Sequence, residues 1–225
     1  MLDDHISHLI NLIPRDRSSF DIQRLFFLLT LDSATHFLFG ESVGCMSPTT
    51  TGVLEKYAVR NAQGFADAFN TAQDYLAARS RAQSLYWVVN PKEFREANSR
   101  VHEVVDHYVN LALEMKRNPN RKQADGRYIF LEALAAETDN PKMLRDNMMN
   151  ILLAGRDTTA SLLSSTFFYL ARYPGVFARL RKEIVDAFGD SNTTPPVEIT
   201  QTKLKDIPYL RYVLNEGTST PGSLV

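Results

Sequence analysis

The stretch that most constrains the fold of this chain is a helical segment without interruption over residues 140–173. Asn140 is a suitable N-cap and Pro141 a suitable first helical residue, because the N–H that proline lacks would be unpaired there anyway. No further proline occurs before Pro174, which supplies the stop. A helix of about 30 residues would be about 45 Å long, which is enough to cross a domain.

The centre of this segment contains residues that a helix interior disfavours. Gly155 costs about 1 kcal/mol relative to alanine, and Thr158 and Thr159 are poor helix formers. An acid, Asp157, stands among residues that are mostly apolar. Several local rules broken at one point are typical of a functional site.

One face of the predicted helix combines apolar, small and hydroxyl residues. Its members, at intervals of four, three and four, are Ile151, Gly155, Thr158 and Leu162. Gly155 would let a bulky flat partner approach the backbone, and the Thr158 hydroxyl could loosen the helix and admit a water. Asp157 beside it could relay protons. The alternative, in which Ala154 and Gly155 serve close helix packing and the threonines cap stray carbonyls, is equally compatible with the spacing.

The rest of the chain is predicted to be all-α. Apolar residues recur at helical spacing over residues 6–13, 22–39, 57–85, 91–115, 128–137, 176–188 and 209–216. Gly40 and Gly189 are natural helix stops. Residues 118–127 are expected to form an exposed basic linker and residues 191–196 a loop. No convincing strand and no internal repeat is found.

Composition excludes several classes of protein. A chain of 225 residues can form one large domain with a substantial core. The net charge of −1 and the lack of a basic stripe argue against a nucleic-acid partner. The longest apolar run, residues 25–29, is too short to span a bilayer, and the N-terminus does not resemble a signal peptide.

Metal sites built from side chains are also not predicted. The single cysteine, Cys45, excludes an internal disulfide and any multi-cysteine site. His102 and His107 are five residues apart, so they do not share a helix face as a metal-binding His-Glu-x-x-His pair would. Both histidines are expected to face solvent.

The sequence Ala-Gly-Arg-Asp-Thr-Thr-Ala at residues 154–160 resembles the oxygen-activation motif of the cytochrome P-450 monooxygenases, which lies in the long helix over the haem. Leu-Ala-Arg-Tyr-Pro at residues 170–174 and Leu-Lys-Asp-Ile-Pro-Tyr-Leu at residues 204–210 agree with the same family in the same order. The resemblance covers residues 9–216. It implies a partial cytochrome P-450 fold.

Two further blocks and one residue resemble a narrower group. Leu-Thr-Leu-Asp-Ser-Ala-Thr at residues 29–35, Phe-Leu-Phe-Gly-Glu-Ser at residues 37–42 and Arg156 are similar to the fungal members that hydroxylate n-alkanes and fatty acids. The resemblance implies a fatty acid or alkane substrate and electrons from NADPH–cytochrome P-450 reductase.

The resemblance also assigns roles to individual residues. Thr158 would hold the water through which protons arrive, and Asp157 would help to deliver them. Ala154, Gly155, Thr158 and Thr159 would lie against the haem. The helices at residues 57–87 would roof the substrate channel, which makes Phe65, Phe69 and Tyr75 candidates for contact with an acyl chain, although aromatic runs of this kind are most often core.

The agreement with the family stops after Glu216. Relatives continue as Glu-x-x-Arg, whereas Ser219 takes the place of the arginine. Residues 1–216 are therefore interpreted as the central helical part of a cytochrome P-450 domain, and residues 217–225 as a non-family tail that ends the last helix within a residue or two. The glycine-rich loop with the haem-ligating cysteine is absent, and Cys45 lacks that motif, so the chain is expected to be inactive alone.

Two interpretations besides a monooxygenase remain at this point. One is a non-catalytic helical fragment that binds other helices, and the other is an unrelated helical ligand-binding bundle in which the motif at residues 154–159 is coincidental. The family's microsomal members carry an N-terminal anchor in the endoplasmic reticulum membrane. This chain has none, so the resemblance implies a protein that is cytoplasmic or does not accumulate.

Overall fold

Helices make up all the regular structure that the computed structural model describes, which comprises residues 2–16, 18–46, 62–117, 129–190 and 197–219. In chain order they are α1 (Leu2–Leu12), α2 (Ile22–Phe39), α3 (Ala62–Arg81), α4 (Lys92–Arg117), α5 (Phe130–Glu137), α6 (Pro141–Arg172), α7 (Pro174–Phe188), α8 (Gln201–Lys205) and α9 (Pro208–Ser219). A short 3-10 helix, Gln83–Val88, joins α3 to α4. The prediction of an all-α fold is confirmed within these residues. The predicted linker at residues 118–127 and the loop at 191–196 lie outside them.

The long helix α6 begins and ends where the sequence predicts. The Met143 backbone N–H donates to Asn140 Oδ1 at 3.2 Å, which confirms Asn140 as the N-cap. The helix contains 32 residues and ends at Arg172, just before Pro174 opens α7. No helix in the described ranges is both long and apolar enough to cross a membrane.

The chain divides into two compact units, Met1–Asp157 and Thr158–Val225, and the division falls inside α6. The first unit is organised around α3 and α4, with α2, α5 and the first half of α6 packed into the same core. Its most deeply buried large side chains are Leu31, Leu38, Phe65, Val101, Val105, Val109, Leu144, Met148 and Leu152. Each such side chain contributes about 1.5–3 kcal/mol through burial.

Two polar side chains of α2 fix the segment that follows this helix. Asp32 is 2% exposed, and its carboxylate accepts the backbone N–H groups of Cys45 at 2.7 Å and Met46 at 3.0 Å. Thr35 accepts the Val43 backbone N–H at 3.1 Å. The turn is therefore held by buried side-chain acceptors rather than by backbone pairing.

Gly40 ends α2 as predicted, and its conformation explains the residue type. Its φ of 77° is left-handed, and its N–H donates to the His36 carbonyl at 2.9 Å. A Cβ at this position would lie 2.5 Å from Ile129 Cδ1. Only glycine satisfies both the backbone conformation and the contact.

In the second unit, the end of α9 differs from the sequence prediction. The prediction that this helix ends within a residue or two of Glu216 is wrong, because α9 continues to Ser219. Gly217 is buried, and a Cβ on it would lie 2.8 Å from Thr166 Oγ1. The close packing that glycine allows here outweighs its helix-propensity cost of about 1 kcal/mol.

The histidines of α4 are half-buried, which corrects the expectation that they face solvent. The His107 ring lies edge-on to Tyr108 with the ring centroids 5.3 Å apart. Burial lowers the pKa of His102, and the nearby Arg145 lowers that pKa further. His5 of α1 is 6% exposed, lies with Nε2 3.1 Å from His36 Nδ1, and also has its pKa lowered, chiefly by burial.

We expect the stability of the first unit to decrease below about pH 6.5, because the unfolded chain then binds protons at His5 and His102 that the folded chain resists. Urea unfolding at a series of pH values from 7.5 to about 5 measures this slope. Replacing both histidines by asparagine should flatten the slope. An equal slope in the double variant would refute the assignment.

Candidate functional site

The small and hydroxyl residues at the centre of α6 are on its exposed side. Ala154, Gly155, Thr158 and Thr159 are all exposed. A Cβ on Gly155 would meet no atom of the described residues within 4 Å. Close packing between the described helices therefore does not account for this glycine.

A second set of α6 residues forms the buried side of the helix in the first unit. Its members recur at intervals of four and are Leu144, Met148, Leu152 and Arg156. Arg156 is only 3% exposed although it carries a charge. Arg156 was not predicted as a site residue from the sequence. Its spacing of four from Leu152 nevertheless indicates that it lies on the core face of the helix.

The Arg156 guanidinium is held on several sides by residues of α2, α3 and α6. Its Nη1 donates to Asp157 Oδ1 at 3.1 Å, and its Nη2 donates to Asn70 Oδ1. The guanidinium carbon lies 5.0 Å from the Phe27 ring centroid and 5.1 Å from that of Phe69. Burial lowers the pKa of Arg156 while Asp157 raises it. The ion pair, the amide and the two rings together offset the cost of burying the cation.

Asp157 is the one predicted catalytic residue that the first unit contains. Its side chain is 34% exposed. Burial raises the pKa of the Asp157 carboxyl above the usual aspartate range, while Arg156 and, to a smaller extent, Gln73 lower it. Because burial is the largest of these effects, the carboxyl is closer to a proton-exchanging group at neutral pH than an ordinary aspartate is.

A polar cleft of about 530 Å³ opens beside this ion pair, and we call it the α2–α3 cleft. Its lining residues are Asp21, Gln23, Arg24, Phe27, Leu28, Ala66, Asp67, Asn70, Gln73, Asp74, Arg156 and Asp157. All of them belong to the first unit. The cleft brings the Asp157 carboxylate into reach of water.

The aromatic candidates of α3 belong mainly to the core. Phe65 is 0% exposed and Phe69 is 3% exposed, so the core interpretation accounts for both. The Tyr75 hydroxyl donates to Glu93 Oε2 at 2.8 Å at an exposed position. Phe65 and Phe69 therefore offer no surface for an acyl chain in the first unit.

Comparison with known families identifies this architecture. The family model described as Cytochrome P450 matches residues 5–217. This chain belongs to the cytochrome P450 family. The expected family resemblance is confirmed, and the interpretation as an unrelated helical bundle is wrong.

Two curated relatives of this cytochrome P450 chain belong to the 52A group. It is 46% identical over 217 residues to cytochrome P450 52A12 of Debaryomyces hansenii and 46% identical over 218 residues to cytochrome P450 52A5 of Candida maltosa. Each match covers 96% of this chain but only 42% and 41% of the relative. The chain thus spans about two-fifths of the length of these relatives.

Solved structures show the same fold. The haem domain of a mutant of cytochrome P450DA matches with a TM-score of 0.68 at 19% identity, covering 96% of this chain and 44% of the solved one. A second cytochrome P450, CYP102L1, matches with a TM-score of 0.64 at 18% identity and the same coverage. The helices of this chain are therefore part of a cytochrome P450 fold.

Cytochromes P450 carry haem, and the residues of α6 fit one face of that group. Gly155 leaves open space above the backbone, and the small or hydroxyl residues around it would let a flat ring approach. Cys45 does not fit the axial thiolate, because burial and the neighbouring Asp32 raise the pKa of its thiol and keep it neutral. The residues present can therefore hold haem from one side and do not supply its sulfur ligand.

Proposed function

We propose that this chain forms the oxygen-activating side of a haem-thiolate monooxygenase that hydroxylates fatty acids or n-alkanes. The observation that carries this proposal is the pair Asp157 and Thr158, consecutive in α6, with a carboxyl of raised pKa next to an exposed hydroxyl. The identity of 46% to two cytochromes P450 of the 52A group supports the substrate class. Haem, when bound, supplies the reductive activation of O2 and the insertion of one oxygen atom into a C–H bond.

In this proposal, Asp157 moves protons. Its carboxylate takes a proton from water in the α2–α3 cleft and releases it on the exposed side of α6. The raised pKa brings the carboxyl nearer to the operating pH, at which a proton carrier both binds and releases protons efficiently. Arg156 limits the rise, so the group still ionises.

Thr158 positions the water that receives this proton. Its hydroxyl can both donate and accept a hydrogen bond, so it could hold a water molecule on the exposed side of α6. Ala154, Gly155 and Thr159 are small residues, so the flat cofactor can lie close to the helix backbone. The cofactor then leaves little room for other waters near Thr158. These four residues hold and orient, while Asp157 exchanges the proton.

The electrons for this reaction would come from NADPH–cytochrome P450 reductase. We propose that the whole protein lies in the endoplasmic reticulum membrane, as the resemblance to the microsomal members of the family implies. The tail at residues 217–225 remains a proposed non-family segment, although the family match includes Gly217.

A non-catalytic role for the isolated chain is the second candidate, and one observation favours it. The only cysteine in the sequence, Cys45, is a half-buried thiol whose raised pKa keeps it neutral. We therefore expect the 225-residue chain to show no thiolate-type Soret band when it is titrated with haem, reduced and exposed to carbon monoxide. Such a band, or hydroxylation of laurate by the chain alone, would refute this expectation.

The proposed function itself is tested in a chimera that joins residues 1–216 to the flanking parts of the Candida maltosa relative. We expect a thiolate-type band and hydroxylation of laurate when reductase and NADPH are added. A chimera that shows the band but oxidises neither fatty acids nor alkanes would contradict the proposed substrate class.

A further inference from the structure

Arg156 lies on the buried side of α6, where the other members of the first unit are apolar. The burial of a charged side chain on this side requires a physical reason. A buried arginine is costly unless its charge and its donors are matched. Four groups match it here: the Asp157 carboxylate at 3.1 Å, the Asn70 amide oxygen, and the two rings of Phe27 and Phe69. The arrangement is too specific for a residue that serves only to fill the core.

A lysine could not replace this arginine with the same geometry. The planar guanidinium lies near two aromatic rings and donates from separate nitrogens to an amide and a carboxylate. The rings come from α2 and α3, so the guanidinium is fixed by two helices before it meets Asp157. Its partner on α6 is consequently held by a rigid support.

Two buried donors beside Asp157 lack partners among the described residues. Arg156 Nε and Gln73 Nε2 are both buried and donate to no acceptor there, and both residues line the α2–α3 cleft. Gln73 nevertheless lowers the pKa of Asp157, so its amide lies near the carboxylate. Buried donors of this kind are usually satisfied by ordered water, and a water between Gln73 and Asp157 would satisfy both groups.

We propose that Arg156 is a positioning residue that fixes the Asp157 carboxylate at the inner end of the α2–α3 cleft, where water held by Arg156 Nε and Gln73 Nε2 exchanges protons with it. The use of that proton in oxygen activation rests on the proposed function, whereas the position and ionisation of Asp157 do not. The carboxylate is thereby held in place by a buried guanidinium and is open to solvent through the cleft.

The other charged groups of the cleft are too exposed to replace this effect. They are Asp21, Arg24, Asp67 and Asp74, which lie on its α2 and α3 sides and are exposed. Charges on exposed walls are screened by water and salt, whereas the contact of Asp157 with the buried Arg156 guanidinium at 3.1 Å is screened less. Among the charged groups of the cleft, Arg156 therefore has the largest effect on the pKa of Asp157, second only to burial.

The test labels carboxyl groups of the 225-residue chain with a water-soluble carbodiimide and an amine over a range of pH, and mass spectrometry reads each site. Carbodiimide reacts with the protonated carboxyl, so the pH midpoint of labelling follows the pKa. We expect Arg156→Met to raise the midpoint at Asp157 by about 1–3 pH units. Arg24→Met, which removes an exposed charge from the same cleft, should raise it much less. Equal shifts in the two variants would overturn the proposal.

Two more variants keep the test decisive if Arg156→Met fails to fold. Arg156→Lys retains the charge but loses the planar fork, so we expect a smaller upward shift of the labelling midpoint than with methionine. A midpoint equal to that of the wild type would show that positioning by the guanidinium is unnecessary.

Gln23→Trp narrows the cleft from α2 and should lower the labelling yield at Asp157 relative to wild type. An unchanged yield would show that the carboxylate reaches solvent by another route and would overturn the cleft assignment.

These readouts need no haem, so they separate the two proposals. A shifted midpoint in Arg156→Met together with normal oxygen use in a Thr158→Ala chimera would support the positioning role and contradict the proposed function. An unshifted midpoint in Arg156→Met together with poor oxygen use in the Thr158→Ala chimera would contradict the positioning role and support the proposed function.

Discussion

Replacing Asp32 by alanine should reduce the free energy of unfolding of the first unit by about 2–5 kcal/mol. Asp32 is 2% exposed, and its carboxylate accepts the backbone N–H groups of Cys45 and Met46. Alanine leaves both donors buried without an acceptor, and each such donor costs about 1–3 kcal/mol. Urea unfolding of the wild-type and variant chains measures the difference.

Two control variants identify the cause of this loss. Asp32→Asn keeps the shape and one carbonyl acceptor, so it should lose less stability than alanine. Asp139→Ala removes a carboxylate that is 75% exposed and pairs with Lys116, and such surface pairs contribute at most about 1 kcal/mol. If Asp32→Ala were as mild as Asp139→Ala, the anchoring of the turn after α2 would not depend on Asp32.

Replacing Thr158 by alanine in the chimera should reduce the hydroxylated product formed per NADPH by about tenfold or more, with the lost electrons recovered as hydrogen peroxide. This change removes the hydroxyl that holds the proton-relay water, and because Thr158 is exposed the variant should fold like the wild type. Product and peroxide are measured in the same reaction with laurate.

The matched control for Thr158→Ala is Ser164→Ala in the same helix. The Ser164 hydroxyl donates to the Ala160 carbonyl at 2.7 Å, so its hydrogen bond is spent within α6. The serine variant should keep normal coupling between NADPH use and product. If both variants lost coupling equally, disturbance of α6 rather than loss of a relay hydroxyl would explain the effect.

The sequence predicts the helices with strong local signals well. Asn140, Pro141 and Pro174 mark both ends of α6, and Gly40 marks the end of α2, because these residues act through local backbone geometry. The five-residue helix α8 was not predicted, since it is little more than one turn long and has no apolar period.

Features that depend on tertiary contacts could not be predicted as well from the sequence. The continuation of α9 depends on the close approach of Gly217 to Thr166, which no helix-propensity rule contains. The environment of Arg156 was not predictable either, although its position on the core face follows from the spacing in the sequence. Its partners Phe27, Phe69 and Asn70 are distant in the chain and come together only in the fold.

The central claim is that Asp157 passes protons from the α2–α3 cleft to the oxygen-activating side of α6. Its most direct test is the solvent deuterium isotope effect on laurate hydroxylation by the chimera, compared between the wild-type sequence and Asp157→Asn. Because asparagine cannot exchange a proton, we expect turnover to fall by about 100-fold and the isotope effect to increase. Unchanged turnover with an unchanged isotope effect would contradict the claim and leave Asp157 as the structural partner of Arg156.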